Sequence, residues 1–405
     1  MFEIDNIRKD FPALKQQVYG KPLIYFDNAA TTQKPKMVID AINEMNSGIN
    51  GNIHRAVHYL ANLCTERYEA SRETVQHFIK AAKQEEIVFT TGTTAAINLV
   101  ASSFGERYIQ KDDEILISEA EHHSNIVPWQ LLCERKGATL RVLPVYDDGS
   151  LAIEQLPQLL SPKTKLCCIT HISNVLGVVN PVKEIVRIIH AHQVPVLIDG
   201  AQGIVHEDID VQDIDCDFYV FSGHKLYAPT GIGILYGKEK WLEAMPPYQG
   251  GGDMIASVSL ERSTYAELPL KFEAGTANYI GAYGLKTAIG YLNQIGLSAI
   301  KAYEQRLLDY AMQELSLIEG LQVYGTAAPK SGLISFNMKG AHPSDTALLL
   351  DKMGIAARSG HLCAQPLMQR FGVQGMLRLS FAFYNTKEEI DTAIAALVKA
   401  RQMLL

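Results

Sequence analysis

From about residue 85 to 240 the chain repeats one pattern: a short apolar run, a turn, then an amphipathic stretch. The runs EEIVFT, DEILIS, TLRVLPV, KLCCIT, VPVLID and DFYVFS have the length of strands. Several are apolar at successive positions, which fits parallel strands covered on both faces. Helix-like segments lie between them, such as NIVPWQLLCERKG and VKEIVRIIHAHQ. The second puts Val182, Ile185, Val186 and Ile189 on one stripe. Such alternation predicts an α/β fold with a mostly parallel, doubly wound sheet. Ligands in these sheets sit beyond the C-terminal ends of the strands.

Five of the six strand ends carry polar, ionisable or glycine-rich groups. Thr91-Gly92-Thr93-Thr94 follows the first run, and Glu119-Ala120-Glu121-His122-His123 follows the second. His171-Ile172-Ser173-Asn174, Asp199-Gly200-Ala201-Gln202 and Ser222-Gly223-His224-Lys225 follow later runs. One such end is unremarkable; five along one sheet edge predict an active site.

The last third loses the rhythm. Residues 287–318 read as a long helical stretch, GLISFNM as a strand, and the C-terminus as a helix. That helix opens with Thr386 and Glu389 in a capping box and continues an apolar stripe through Ile390, Ile394 and Leu397. The expected division is a large domain over residues 21–290 and a smaller α+β domain formed by 1–20 and 291–405.

With 405 residues and 47% hydrophobic composition, the chain has material for a full core. A net charge of −7 argues against nucleic acid or an anionic membrane as the main partner. Six cysteines are too sparse for a disulfide scaffold. The start, MFEIDNIRKDFP, lacks the order of a signal peptide, so a cytoplasmic location is expected. No metal site is expected.

Each strand end has a plain reading and a functional one. The TGTT turn is either an ordinary helix N-cap or a phosphate site made by free N–H groups and a helix dipole. Asp199 is either a structural cap or a buried carboxylate that needs a cationic partner, such as a protonated ring nitrogen. Lys225 either snorkels to water or acts as a Schiff-base lysine. Taken together with His122, whose ring can stack on another, these groups match the demands of pyridoxal 5'-phosphate.

The segments EHHSNIVPW, THISNVLG, IDGAQ, FSGHKLYAPTGIG, FEAGTANY and RSGHLCAQP resemble the class V aminotransferase-fold family. Within it they resemble the cysteine desulfurases of the SufS (group II) type. The likeness runs from YFDNAATTQKP through GNIHR to RLSFAFYNT. It implies the aminotransferase-like fold type I and a homodimer that turns L-cysteine into L-alanine. The sulfur would remain as a persulfide on Cys363, destined for iron–sulfur cluster assembly through a SufE-like acceptor protein.

The resemblance also implies roles. Lys225 would hold the cofactor and move the proton from the substrate Cα. Asp199 would pair with the ring nitrogen, and His122 would stack on the ring. Gln202 and Asn174 would approach the ring oxygen. Thr94, Ser222 and His224 would bind the phosphate with Thr93 beside them, and Thr276 would reach the phosphate of the neighbouring subunit. Arg378 would clamp the substrate carboxylate, a bidentate task suited to arginine. Arg358 would sit near Cys363, Arg55 would border the pocket, and Asn174 would also face the substrate. Arg358 and His361 bring positive charge near Cys363, the setting of a reactive cysteine. The other cysteines, 64, 133, 167, 168 and 216, read as inert core thiols.

Three positions depart from the family pattern: Leu362 stands for a second histidine, and Ala228 and Ala277 alter YGPTG and EAGTPN. Ser344 makes HPSD where the branch using a zinc-bound acceptor has HPHD. Rival readings are a selenocysteine lyase acting on L-selenocysteine, a class V aminotransferase, and a silent scaffold. The aminotransferase would not need Cys363.

Overall fold

The computed structural model describes residues 3–405; Met1 and Phe2, which the sequence reading placed with the smaller domain, lie outside the described residues. A seven-stranded sheet forms the larger half. Its strands are β1 (Ile87–Thr90), β2 (Glu114–Ser118), β3 (Thr139–Leu143), β4 (Thr164–Thr170), β5 (Val196–Asp199), β6 (Phe218–Ser222) and β7 (Gly233–Gly237). They lie in the order β1-β7-β6-β5-β4-β2-β3. Neighbours pair in parallel from β6 to β3, whereas β7 is antiparallel to both β6 and β1. Every strand but β7 therefore points the same way, and their C-terminal ends share one edge.

The consecutive apolar residues of the central strands divide between two faces, as the pleat requires. Cys167, Ile169, Val196 and Ile198 join the core that includes Val182, Ile185, Val186 and Ile189. Leu166, Cys168, Leu197 and Val220 join the core under Leu99, Phe104 and Trp129. The latter face is covered in part by α1 (Thr93–Tyr108), and the former by α2 (Val182–His190).

Three expectations needed adjustment. Strand β7 is an addition to the sequence pattern; its GILYG sequence is short and glycine-bounded, yet fully buried. A Cβ at Gly233 would meet Gly92 Cα at 2.4 Å, so glycine is needed where β7 passes the TGTT turn. The run TLRVLPV is an edge strand that stops at Leu143, with Thr139 and Val142 exposed, and is not covered on both faces. The long helical stretch is two helices, α3 (Tyr279–Ile295) and α4 (Leu297–Ser316). Gly296 separates them at φ +94°, a backbone conformation that favours glycine.

A second sheet has four strands, β8 (Leu321–Tyr324), β9 (Leu333–Met338), β10 (Arg358–Gly360) and β11 (Met376–Ser380), in the order β8-β9-β11-β10. Its core includes Leu307, Leu315, Phe336, Leu379 and Leu397, with Ile24 and Phe26 from the N-terminal part of the chain. Short strand Ile24–Tyr25 pairs in parallel with Ile355–Ala356, and Ser380 N–H donates to Phe26 O at 2.7 Å. The C-terminal helix, α5 (Lys387–Leu404), carries the Thr386–Glu389 capping box. Phe11 packs instead against Tyr227, Tyr291, Phe383 and Tyr384 and joins the core of the larger sheet. Among the described residues no helix is long and apolar enough to cross a membrane.

Candidate active site

The shared strand edge opens into a cavity of about 310 Å³. Its walls include Thr93, Thr94, His122, Asn174, Asp199, Gln202, Ser222, His224, Lys225, Arg358, Cys363 and Arg378. Residues spread over some 290 positions of sequence thus meet in one place. Arg55 and Thr276 are not among the walls: Arg55 pairs with Asp253 at 2.6 Å, and Thr276 is exposed.

The TGTT turn begins α1 with Gly92 as N-cap, and no side chain caps the helix. Apart from Thr93 N–H, which a side chain takes, the first-turn N–H groups are left for an external anion. Ser222 Oγ accepts from Thr93 N–H at 2.8 Å and lies 2.8 Å from Thr93 Oγ1, which ties the turn to the end of β6.

Asp199 ends β5 and is buried. Ala201 N–H is its one hydrogen-bond donor among the described residues, at 3.0 Å. Burial holds the Asp199 carboxyl above its usual range, against the opposing effects of Ala201 N–H and Lys225. Burial likewise pushes the Lys225 ammonium down to about 8, outweighing the attraction of Asp199. Each side of this pair is thus shifted towards neutrality, because desolvation exceeds their mutual attraction. The His224 carbonyl, next to Lys225, accepts from Thr31, Thr32 and Lys34. These bonds fix the turn that presents the lysine.

His122 is held by Ser124, whose N–H donates to Nδ1 at 3.1 Å. Burial, followed by Lys225, pushes His122 down to about 3, so its ring is neutral at physiological pH. His224 is pushed down to about 4, first by burial. Behind His122, the fully buried Glu121 accepts from Ser118 Oγ, Asn125 Nδ2 and Thr170 N–H. Glu121 thus braces the turn that carries His122, a role its place at a strand end does not by itself reveal.

Cys363 is the one exposed cysteine; the other five are buried. Burial pushes the thiols of Cys133, Cys167, Cys168 and Cys216 up, which keeps them protonated. Leu362 and Cys363 both have positive φ, 53° and 57°, which is uncommon for such side chains. Hydrogen bonds hold this loop in place. Asn174 Nδ2 donates to Leu362 O at 2.7 Å, and His123 N–H donates to Cys363 O at 2.7 Å. The Leu362 side chain is itself buried, an apolar plug where the family pattern has histidine.

Arg358 and Arg378 face each other across β10 and β11. Asp27 bridges them, taking Arg358 Nη2 at 2.8 Å and Arg378 Nη2 at 3.2 Å. Asp27 lies within YFDNAATTQKP, and the sequence assigns it no role. Its partners are more than 300 residues away, so sequence spacing carried no sign of them.

The model of the aminotransferase class-V family matches residues 24–392. A cysteine desulfurase of Synechococcus elongatus is 50% identical over 396 residues, covering 98% of this chain and 63% of that protein. The chain thus spans about three fifths of the length of that relative. A probable cysteine desulfurase of Halalkalibacterium halodurans is 50% identical, covering 98% of both chains. Among solved structures, the cysteine desulfurase CsdA of Escherichia coli, in an S-sulfonic acid form, superposes with a TM-score of 0.93. It is 39% identical and covers 100% of both chains. A C-DES mutant with glycine covalently linked to its PLP cofactor superposes with a TM-score of 0.83. It is 25% identical and covers 96% of this chain and 98% of its own.

Proposed function

The chain belongs to the class V aminotransferase family, and from that premise we propose that it is a pyridoxal-phosphate-dependent cysteine desulfurase. It takes sulfur from L-cysteine as a persulfide on Cys363 and releases L-alanine. One observation carries this reading: an exposed cysteine is held at the wall of a cavity that also contains a buried lysine and a buried, underbonded aspartate.

The residues fit the cofactor. Lys225 Nζ donates to no acceptor among the described residues, so it is free to bond a carbonyl carbon. Asp199 would pair with a protonated ring nitrogen, and the neutral His122 would lie against the ring. The uncapped end of α1, with Thr93, Thr94, Ser222 and His224, would hold the phosphate. Gln202 donates its amide to Ala29 O at 2.7 Å, which leaves its carbonyl for the cavity. When bound, pyridoxal phosphate supplies an electron sink for charge developing at the substrate Cα.

The protein's own groups do the remaining work. Arg378 binds the substrate carboxylate. Lys225 Nζ takes the Cα proton, a role suited to an amine whose pKa is lowered to about 8. Cys363 Sγ forms an S–S bond with the substrate sulfur as the Cβ–S bond breaks. The carbon skeleton takes up a proton and leaves as L-alanine. The loop hydrogen bonds to Asn174 and His123 limit how far Cys363 can stray from the reacting sulfur.

Finer features belong to the same proposal. The enzyme is of the SufS (group II) type, works in the cytoplasm, and passes sulfur to a SufE-like acceptor for cluster assembly. The exposure of Cys363 supports delivery to another protein. It acts as a homodimer in which Thr276 and the hairpin made by the antiparallel strands Ile255–Val258 and Ser263–Tyr265 reach the partner's site. Exposed Val57, Tyr59, Val258 and Leu260 support such an interface. The proposal divides the chain into residues 21–290 and 1–20 with 291–405, with strand Ile24–Tyr25 crossing to pair with Ile355–Ala356.

The test is an assay of purified, cofactor-loaded protein with L-cysteine. Stoichiometric or catalytic L-alanine is expected, and a protein that forms none contradicts the reading. Sedimentation at a series of dilutions checks the dimer.

A further inference from the structure

We propose that His123 is a positioning residue for the nucleophile. Its ring Nε2 holds the backbone just past Cys363, and since that bond requires a neutral ring, protonation of His123 frees the loop and slows persulfide formation. The inference rests on the desulfurase reading of the same cavity.

One residue supplies both jaws of a clamp. His123 N–H donates to Cys363 O at 2.7 Å, and Gln365 N–H donates to His123 Nε2 at 3.0 Å. The two peptide groups so held flank Ala364, directly after the nucleophile. Gln365 begins the short helix Gln365–Arg370, whose N-cap Ala364 has no capping side chain and whose second residue is Pro366. The helix start therefore lacks a cap of its own, and the imidazole takes that place. The far end is fastened separately: Arg370 Nε donates to Val145 O at 2.9 Å, and Nη2 pairs with Asp147 at 2.7 Å. Leu362 and Cys363, both at positive φ, thus take their outside support from Asn174 and His123.

A backbone N–H can only donate, so Nε2 must present its lone pair and the ring proton must sit on Nδ1. A second proton, on Nε2, would set N–H against N–H and break the bond. The titratable groups around the ring are His361 and Cys363 on the loop and His122 on its own turn, whose ring centroid is 6.3 Å away. Glu121 is engaged by Ser118, Asn125 and Thr170. Burial, followed by the repulsion of His361, holds His123 below the usual histidine range. The bond is therefore complete at neutral pH and is lost as the pH falls through that lowered pKa. His123 is not among the cavity walls, so it acts on the reaction only through the placement of Cys363.

The experiment uses cofactor-loaded wild type, His123→Ala and His123→Gln. A glutamine side-chain oxygen reaches about as far as Nε2 and accepts a hydrogen bond at every pH of interest. Single-turnover persulfide formation with L-cysteine is followed between about pH 5 and 8, and the cofactor's visible absorbance reports substrate binding. At neutral pH His123→Ala is expected to form persulfide about tenfold more slowly with unchanged binding, and His123→Gln to recover most of that loss. As the pH falls, the ratio of the His123→Gln rate to the wild-type rate should rise severalfold, because only wild type loses the bond. Equal rates in wild type and His123→Ala, a His123→Gln as slow as His123→Ala, or a ratio that does not change with pH overturns the proposal. If His123→Ala does not fold, the pH dependence of that ratio decides alone. If wild type makes no persulfide and no L-alanine, the functional reading fails, and amide hydrogen exchange of the helix Gln365–Arg370 still decides the role of His123. Its first turn should then be less protected in His123→Ala than in wild type and His123→Gln, and equal protection overturns the proposal.

Discussion

Asp199, Ser222 and Lys225 stand at or just past the ends of central, buried strands, whereas Cys363 stands on an exposed loop with two successive residues at positive φ. The first group is held by a sheet with core on both faces. The second is held by its own turn and by hydrogen bonds from Asn174 and His123. The contrast matches two tasks. Proton chemistry at a ring needs a dry site, where burial sets the charge states of Lys225, Asp199 and His122. The proposed sulfur delivery needs a nucleophile that another protein can reach.

The largest effect should come from the strand-end half. Lys225→Ala is expected to lower L-alanine formation by at least about a thousandfold, since it removes both the cofactor tether and the base. Steady-state assay of L-alanine checks it; a loss under tenfold would mean that the buried half is not the centre of the chemistry.

On the loop side, Asn174→Ala removes the donor to Leu362 O and loosens the loop. A fall in kcat of about tenfold to a hundredfold is expected, with cofactor absorbance retained. Both rate and absorbance unchanged would show that the loop holds itself.

The strand ends were legible because polar residues directly after apolar runs are a local signal. Lys225, Asp199 and His122 could be selected in this way, and the resemblance added Cys363, Arg358 and Arg378. Asp27 and the bracing role of Glu121 were not legible, because each depends on what the fold brings opposite. Asp27 meets arginines contributed by β10 and β11, and Glu121 meets Thr170 on β4. In the fold, the rhythm revealed the parallel strands, but not the short β7 or the edge exposure of β3. The helix break at Gly296 was hidden by apolar residues that continue on both sides of it.

The buried half also predicts a pH response. His171 is pushed down to about 4 by burial, so it is neutral when folded but takes a proton near pH 6.5 when unfolded. Between those values the unfolded state binds more protons. Stability should therefore be full above pH 6.5 and fall as the pH drops towards 4, by about 3 kcal/mol from this group. Denaturant titrations at several pH values should show a shallower acid loss in His171→Gln. An equal slope would contradict the burial argument.

The smallest effect lies far from both halves. Gly296→Ala meets no atom within 4 Å, so only its backbone conformation opposes it. A loss of about 1 kcal/mol is expected from thermal or denaturant unfolding, with activity unchanged.

The most direct test of the division of labour is to follow sulfur on the protein. Wild type and Cys363→Ala, both loaded with cofactor, are mixed with L-cysteine, and the peptide carrying position 363 is examined by mass spectrometry. The account predicts a gain of one sulfur atom on Cys363 in wild type, and none anywhere in Cys363→Ala, whose cofactor absorbance still responds to L-cysteine. Persulfide on another cysteine of the variant, with L-alanine still formed at the wild-type rate, would contradict it.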